Sequence, residues 1–141
     1  HPRVYVFPPG VSLQRFTLEV QPAPELTDVQ RPVIGYVGGL HRHVDFELLA
    51  QVAKACRGTV VLIGPVQTDI SLLKPFSNVR LFGQQPHTRI PEFIRAFDVG
   101  LIPYRVTRYT STVYPTKLNE YLAMGVPVVA TAHRSPVEQA G

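Results

Sequence analysis

PTKLNEYLAMGVPVVAT, residues Pro115 to Thr131, holds a helix start, a helix stop and a strand in one short run. Pro115 fits the first turn of a helix, where its missing N–H is no loss. Leu118, Tyr121, Leu122 and Gly125 recur at i, i+3, i+4 and i+7, which predicts one apolar face of that helix. Gly125 suits the helix C-terminus. Pro127 then introduces Val128-Val129-Ala130, a short apolar run that reads as a strand covered on both faces. A helix start leaves N–H groups unpaired, and these attract anions. Glu120 lies one turn further in, where a carboxylate can accept two hydrogen bonds from ribose hydroxyls.

The same strand–helix alternation extends upstream. Val33-Ile34-Gly35-Tyr36-Val37 reads as a core strand followed by Gly38-Gly39, and Asp45 as the N-cap of a helix with Leu49, Val52, Ala53 and Cys56 on one face. Val60-Val61-Leu62-Ile63-Gly64 and Asn78-Val79-Arg80-Leu81-Phe82-Gly83 are two more apolar runs. A helix over 88–97 leads into Val99-Gly100-Leu101-Ile102. Val4-Tyr5-Val6-Phe7 reads as a further strand ending in the turn Pro8-Pro9-Gly10, and residues 21–31 as a polar loop or linker. Strands alternating with helices predict parallel βαβ units, hence an α/β fold: a doubly wound, Rossmann-like parallel sheet with helices on both faces.

Composition agrees with one globular domain spanning 1–141: 45% hydrophobic, 17% charged, with 14 prolines scattered as loop punctuation. No run approaches the roughly 20 apolar residues of a membrane span. The single Cys56 rules out an internal disulfide, fits a reducing, cytoplasmic compartment, and is expected to serve in apolar packing. A net charge of +4 favours acidic partners such as phosphates or anionic lipid headgroups. No block of Lys and Arg marks a nucleic-acid groove, so nucleic acid is not an expected partner.

In an open α/β sheet, ligands sit beyond the carboxyl ends of the strands. Gly38 and Gly39 follow a strand and precede a helix, so their backbone is expected to approach a phosphate. His41-Arg42-His43 comes next. An alternating His pair can bind a metal, but no third ligand with suitable spacing follows, so the pair reads as loop residues near a phosphate. Lys117 and Glu120, three apart on one helix, are either a surface ion pair or a diphosphate and ribose contact.

From Glu120 to Val129 the chain resembles the donor-binding domain of the retaining GT-B glycosyltransferases. Their signature there is two glutamates separated by seven residues, the second opening a Glu-(Ala/Tyr)-(Met/Leu)-Ala-x-Gly-x-Pro-Val-Val pattern. Where the first glutamate would fall this chain has Thr112. It is similar in this to a subgroup assigned to bacterial surface-polysaccharide and teichuronic-acid assembly, in which Pro-x-Lys-Leu-x-Glu-Tyr-Leu-Ala stands instead.

The resemblance implies a domain that binds a nucleoside diphosphate sugar, with no cofactor or metal required and no metal ligands assigned. No Asp-x-Asp occurs anywhere in the chain. Lys117 and Glu120 are the implied catalytic residues, on the diphosphate and the ribose. Gly38, Gly39, Arg42, Thr116 and Leu118 are implied on the phosphates. Arg105 and Arg108 are implied facing the donor sugar, with Thr110, Ser111 and Thr112 adding hydroxyls, and Gln84, Gln85 and Ile90 lie where the family places the base. The expected partner is an N-terminal acceptor domain of the same protein, with this chain trimmed at both ends and inactive alone. The parent would act in the cytoplasm at the inner membrane face, by peripheral association. Two other readings stand beside this one: a non-catalytic nucleotide-binding module, and a sugar-nucleotide epimerase of the same two-domain plan.

Overall fold

Residues of one strand alternate between two cores. In β1 (Val33–Val37), Val33 and Val37 join one cluster while Ile34 and Tyr36 join the other. β2 (Thr59–Ile63) divides the same way, Val61 and Ile63 against Val60 and Leu62, and every one of its residues is buried. A computed structural model describes residues 11–110 and 116–131. The expected strand at Val4–Phe7 and turn at Pro8–Gly10, with Ser111, Thr112 and Pro115, lie outside the described residues.

The remaining elements are α1 (Phe46–Ala55), β3 (Val79–Gly83), α2 (Ile90–Arg95), β4 (Val99–Ile102), α3 (Thr116–Ala123) and β5 (Val128–Ala130). Among the described residues the five strands pair in parallel, in the order β3-β2-β1-β4-β5. The chain therefore winds outward from β1 through β2 to β3, then returns to β1's other side for β4 and β5. That reversal puts a topological switch point between β1 and β4.

Helices cover both faces, as the alternation predicts. Phe46, Leu49 and Ala53 of α1 pack on the cluster of Tyr36, Val60, Leu62 and Leu101. Phe93 and Ile94 of α2, with Tyr121 and Met124 around α3, pack on Val33, Val37, Val61, Ile63 and Ile102. Burying side chains such as Leu49, Phe93 or Ile94 fully contributes about 1.5–3 kcal/mol each. Asp45 caps α1 as read, its carboxylate accepting from the Leu48 N–H at 3.0 Å, a contact worth about 1 kcal/mol.

Four local expectations need correction. The helix expected over 88–97 is shorter, because Pro91 lacks an N–H and is tolerated only in a first turn, so a tight turn at His87–Arg89 precedes α2. Leu122 is 57% exposed, and the buried stripe of α3 runs through Tyr121 to Met124. Val129 is 60% exposed: among the described residues β5 pairs only with β4, so it is an edge strand and not one covered on both faces. Cys56 is half-buried at the end of α1, its sulfur accepting from the Gly58 N–H at 3.1 Å.

Candidate functional site

β1 and β4 pair only at Ile34–Val99 and Gly35–Gly100. Beyond that point a side chain takes over the ladder. The hydroxyl of Tyr121, from α3, accepts from the Val37 N–H and donates to the Leu101 carbonyl, each at 3.1 Å. Burial pushes the Tyr121 phenol well above its ordinary pKa, so it stays protonated and can donate. Gly100 makes room for the ring: a Cβ there would lie 2.7 Å from it. Tyr121 thus wedges the two central strands apart at their carboxyl ends and ties α3 to the switch point. Periodicity marked Tyr121 as a core residue and could not show this second task.

The loop after β1 is held from both sides. Leu40 exchanges hydrogen bonds with the loop after β2, donating to Pro65 O at 2.9 Å and accepting from Gln67 N at 3.0 Å. On the other side Asp45 N donates to Pro103 O, and Arg105 N to His43 O, both at 2.7 Å. Gly38 has φ +150° and Gly64 φ +148°, and a Cβ on Gly64 would sit 1.8 Å from Gly38 O. Gly64 is required by this close approach of two loops, whereas a Cβ on Gly38 would meet the Tyr36 hydroxyl at 2.7 Å.

The glycine pair differs from expectation in one respect. The Gly38 N–H is not available to a ligand, because it continues the ladder to Ile63 O at 2.8 Å. Gly39 presents its N–H instead: its carbonyl accepts from the Tyr36 hydroxyl at 2.9 Å, and among the described residues the N–H groups of Gly39, His41 and Arg42 make no hydrogen bond. Those three amides have no intramolecular partner among the described residues.

Four rings stack over this loop. His41 lies on Tyr104 with centroids 5.8 Å apart, His43 on Tyr109 at 4.4 Å, and the two imidazoles meet edge-on at 5.5 Å. With Thr110 they line a cleft of about 170 Å³. Burial, and secondarily the neighbouring His43, holds His41 below its ordinary pKa. Neither Tyr104 nor Tyr109 was singled out from sequence as a lining residue. The signal was there, two aromatics flanking a loop that follows an apolar strand.

Of the cations, Arg42 is exposed beside the cleft, Arg108 is exposed, and Arg105 is half-buried with its backbone tied to both loops. Thr110 is a correction: the residue is buried and its hydroxyl bonds to Arg105 O and the Thr107 N–H, so the hydroxyl staples the 105–110 turn. Ile90 is likewise buried in the core, and Gln85 donates to Phe82 O at 2.8 Å, which leaves Gln84 exposed after β3.

At the start of α3, Thr116 is exposed while Lys117 and Leu118 are partly covered. Lys117 Nζ lies 3.3 Å from Glu120 Oε2, so the ion pair considered from spacing exists. Yet Oε2 is buried and has no hydrogen-bond partner, the lysine being near without hydrogen-bond alignment. Leaving a buried acceptor unsatisfied costs about 1–3 kcal/mol. Among the described residues no three His, Cys, Asp or Glu side chains gather as a metal site, and no helix is long and apolar enough to cross a membrane.

A family described as "Glycosyl transferases group 1" matches residues 31–141. TuaH of Bacillus subtilis (strain 168), named as a teichuronic acid biosynthesis glycosyltransferase, is 31% identical over 137 residues, covering 92% of this chain and 34% of that protein. The chain therefore spans about a third of that relative's length. Among solved structures, sucrose-phosphate synthase from Thermosynechococcus elongatus superposes with a TM-score of 0.68 at 21% identity, over 89% of this chain and 34% of the other. HepE of Anabaena, solved with UDP and glucose, gives 0.60 at 17% identity, over 92% and 38%. At those identities the two structures speak for the Rossmann-like fold alone. The family match, running from the approach to β1 through every later element, decides the rest: the chain belongs to the group 1 glycosyl transferases.

Proposed function

We propose that this chain is the donor-binding part of a glycosyltransferase, holding a nucleoside diphosphate sugar at the β1–β4 switch point for transfer to an acceptor carried by another domain. The observation that carries this reading is Glu120. A buried carboxylate oxygen with no hydrogen bond, one turn into a helix that starts at the crevice, is an acceptor waiting for donors. Ribose hydroxyls are donors of the right kind.

The other residues fall into place around it. The N–H groups at Thr116, Lys117 and Leu118 and the Lys117 ammonium serve the diphosphate from one side. The amides of Gly39, His41 and Arg42, with the Arg42 guanidinium, serve it from the other. Negative charge grows on the departing diphosphate during transfer, so fixed dipoles and cations aimed at it lower the barrier. Arg105 and Arg108, on the loop after β4, face the donor sugar. The relative's name and the UDP and glucose of the Anabaena structure support a sugar nucleotide in surface-polysaccharide synthesis, with the parent working at the cytoplasmic membrane face. No residue of this chain is assigned as acceptor base, and no metal is invoked.

The test is turnover by the full-length parent with isotopically labelled sugar nucleotides. Transfer of label to a polysaccharide acceptor is expected. Epimerised donor, or tight binding with no turnover under any donor, would overturn the reading.

A further inference from the structure

The ring cluster over the β1–α1 loop fixes a tautomer. The His43 backbone N–H donates to His41 Nδ1 at 3.1 Å. A nitrogen that accepts cannot also carry a hydrogen, so in the neutral ring the proton is on Nε2. The face of His41 is spent on Tyr104 and one edge on His43. Nε2 is the one polar atom of this side chain left for a ligand, and His41 lines the cleft.

We infer that His41 is a neutral hydrogen-bond donor of this site, giving Nε2–H to a diphosphate oxygen, with the His43 amide as the group that holds it in that form. The inference rests on the donor-binding reading for the identity of its ligand. It differs from a simple cationic contact. Protonating His41 would place a hydrogen on Nδ1 and break the hydrogen bond it accepts from the His43 amide.

The surroundings favour the neutral ring from every side that packs on it. His43 and Arg42 share its loop; Tyr104, Arg105 and Tyr109 come from the loop after β4, and neutral Gln67 from the loop after β2 reaches Gly39. Among the described residues no carboxylate pairs with either imidazole. A basic loop thereby gains a donor that leaves the phosphate-side charge unchanged and stays in place as pH varies about neutrality.

Two measurements test this on the whole chain. Nitrogen-15 NMR of the histidine rings, without ligand, should show His41 as the Nε2–H tautomer at pH 7, titrating below an ordinary histidine. An Nδ1–H tautomer, or titration above pH 7, overturns the inference whatever the chain binds. Titration with inorganic pyrophosphate then compares His41→Gln, whose amide nitrogen reaches the Nε2 position, with His41→Asn, whose amide reaches only Nδ1. His41→Asn should weaken binding about tenfold or more, the weight of one hydrogen bond to a charged acceptor, and His41→Gln by no more than about threefold. Equal losses, or affinity that climbs as His41 protonates, overturn the neutral-donor role and leave the diphosphate site standing. If wild-type protein takes up no pyrophosphate, the donor-binding reading and this one fall together.

Discussion

Replacing Tyr121 with phenylalanine removes one oxygen and leaves the ring seated over Gly100. That oxygen serves two backbone groups, the Val37 N–H and the Leu101 carbonyl, both in residues at most 6% exposed. Each intramolecular hydrogen bond contributes about 0.5–1.5 kcal/mol net, and a buried partner left without one costs about 1–3 kcal/mol. With two orphaned groups the loss should be about 2–6 kcal/mol. In a domain of this size that corresponds to a fall of roughly 6–24 °C in Tm. Urea unfolding followed by circular dichroism measures it, with the slope m unchanged if only the folded state is affected. A loss below about 0.5 kcal/mol would refute the reasoning. It would show that Val37 and Leu101 pair directly once the hydroxyl is gone, and that the wedge does not hold the strands apart.

Other outcomes follow from the same geometry. Gly64→Ala should cost more than about 2 kcal/mol, because its Cβ would sit 1.8 Å from Gly38 O, a backbone atom. Gly83→Ala, with φ +68° and open space around it, should cost only about 1 kcal/mol; similar losses in thermal unfolding at both sites would contradict the close loop contact. Stability should fall with pH in two separate windows. His41 is held below its ordinary value of 6.5, so the unfolded chain takes the proton first; its contribution is complete above about pH 6.5 and drains below it. Glu25 is held down from 4.5 to about 2 by hydrogen bonds from Arg89, so its contribution drains as pH falls from about 4.5 towards 2. His41→Gln should flatten the upper window and Glu25→Gln the lower, and denaturant midpoints across pH 2–8 decide between them.

The strands were legible because each is a short apolar run bounded by turn residues, and the order β1, α1, β2 followed from the Asp45 cap and the 3.6-residue stripe through Leu49 and Ala53. α3 was legible from the same periodicity, but only half of its apolar face is buried. Leu122 and Val129 are apolar yet exposed, and hydrophobic pattern alone cannot distinguish a residue facing a core from one facing solvent. At the site, spacing put Lys117 and Glu120 on one helix as an ion pair or as ligand contacts, and the ion pair is present, while their roles toward a donor came from the family resemblance. What escaped was everything that depends on long-range hydrogen bonds. Tyr121 reaches Val37 across 84 residues of chain, and Gly38 spends its N–H on Ile63. Those pairings are set by the sheet's strand order, which local sequence does not carry.

The claim that matters most is that an unsatisfied carboxylate on α3 binds the nucleotide's ribose. Calorimetric titration of UDP, GDP, ADP and TDP into the chain with EDTA present, for wild type and Glu120→Gln, tests it directly. One diphosphate should bind wild type at millimolar concentration or better, and Glu120→Gln should weaken it by about 1.5–3 kcal/mol, the range for a hydrogen bond to a charged group, with Tm little changed. Equal affinity in both proteins with a lower Tm for the variant would contradict the account, making Glu120 the structural partner of Lys117 and nothing more.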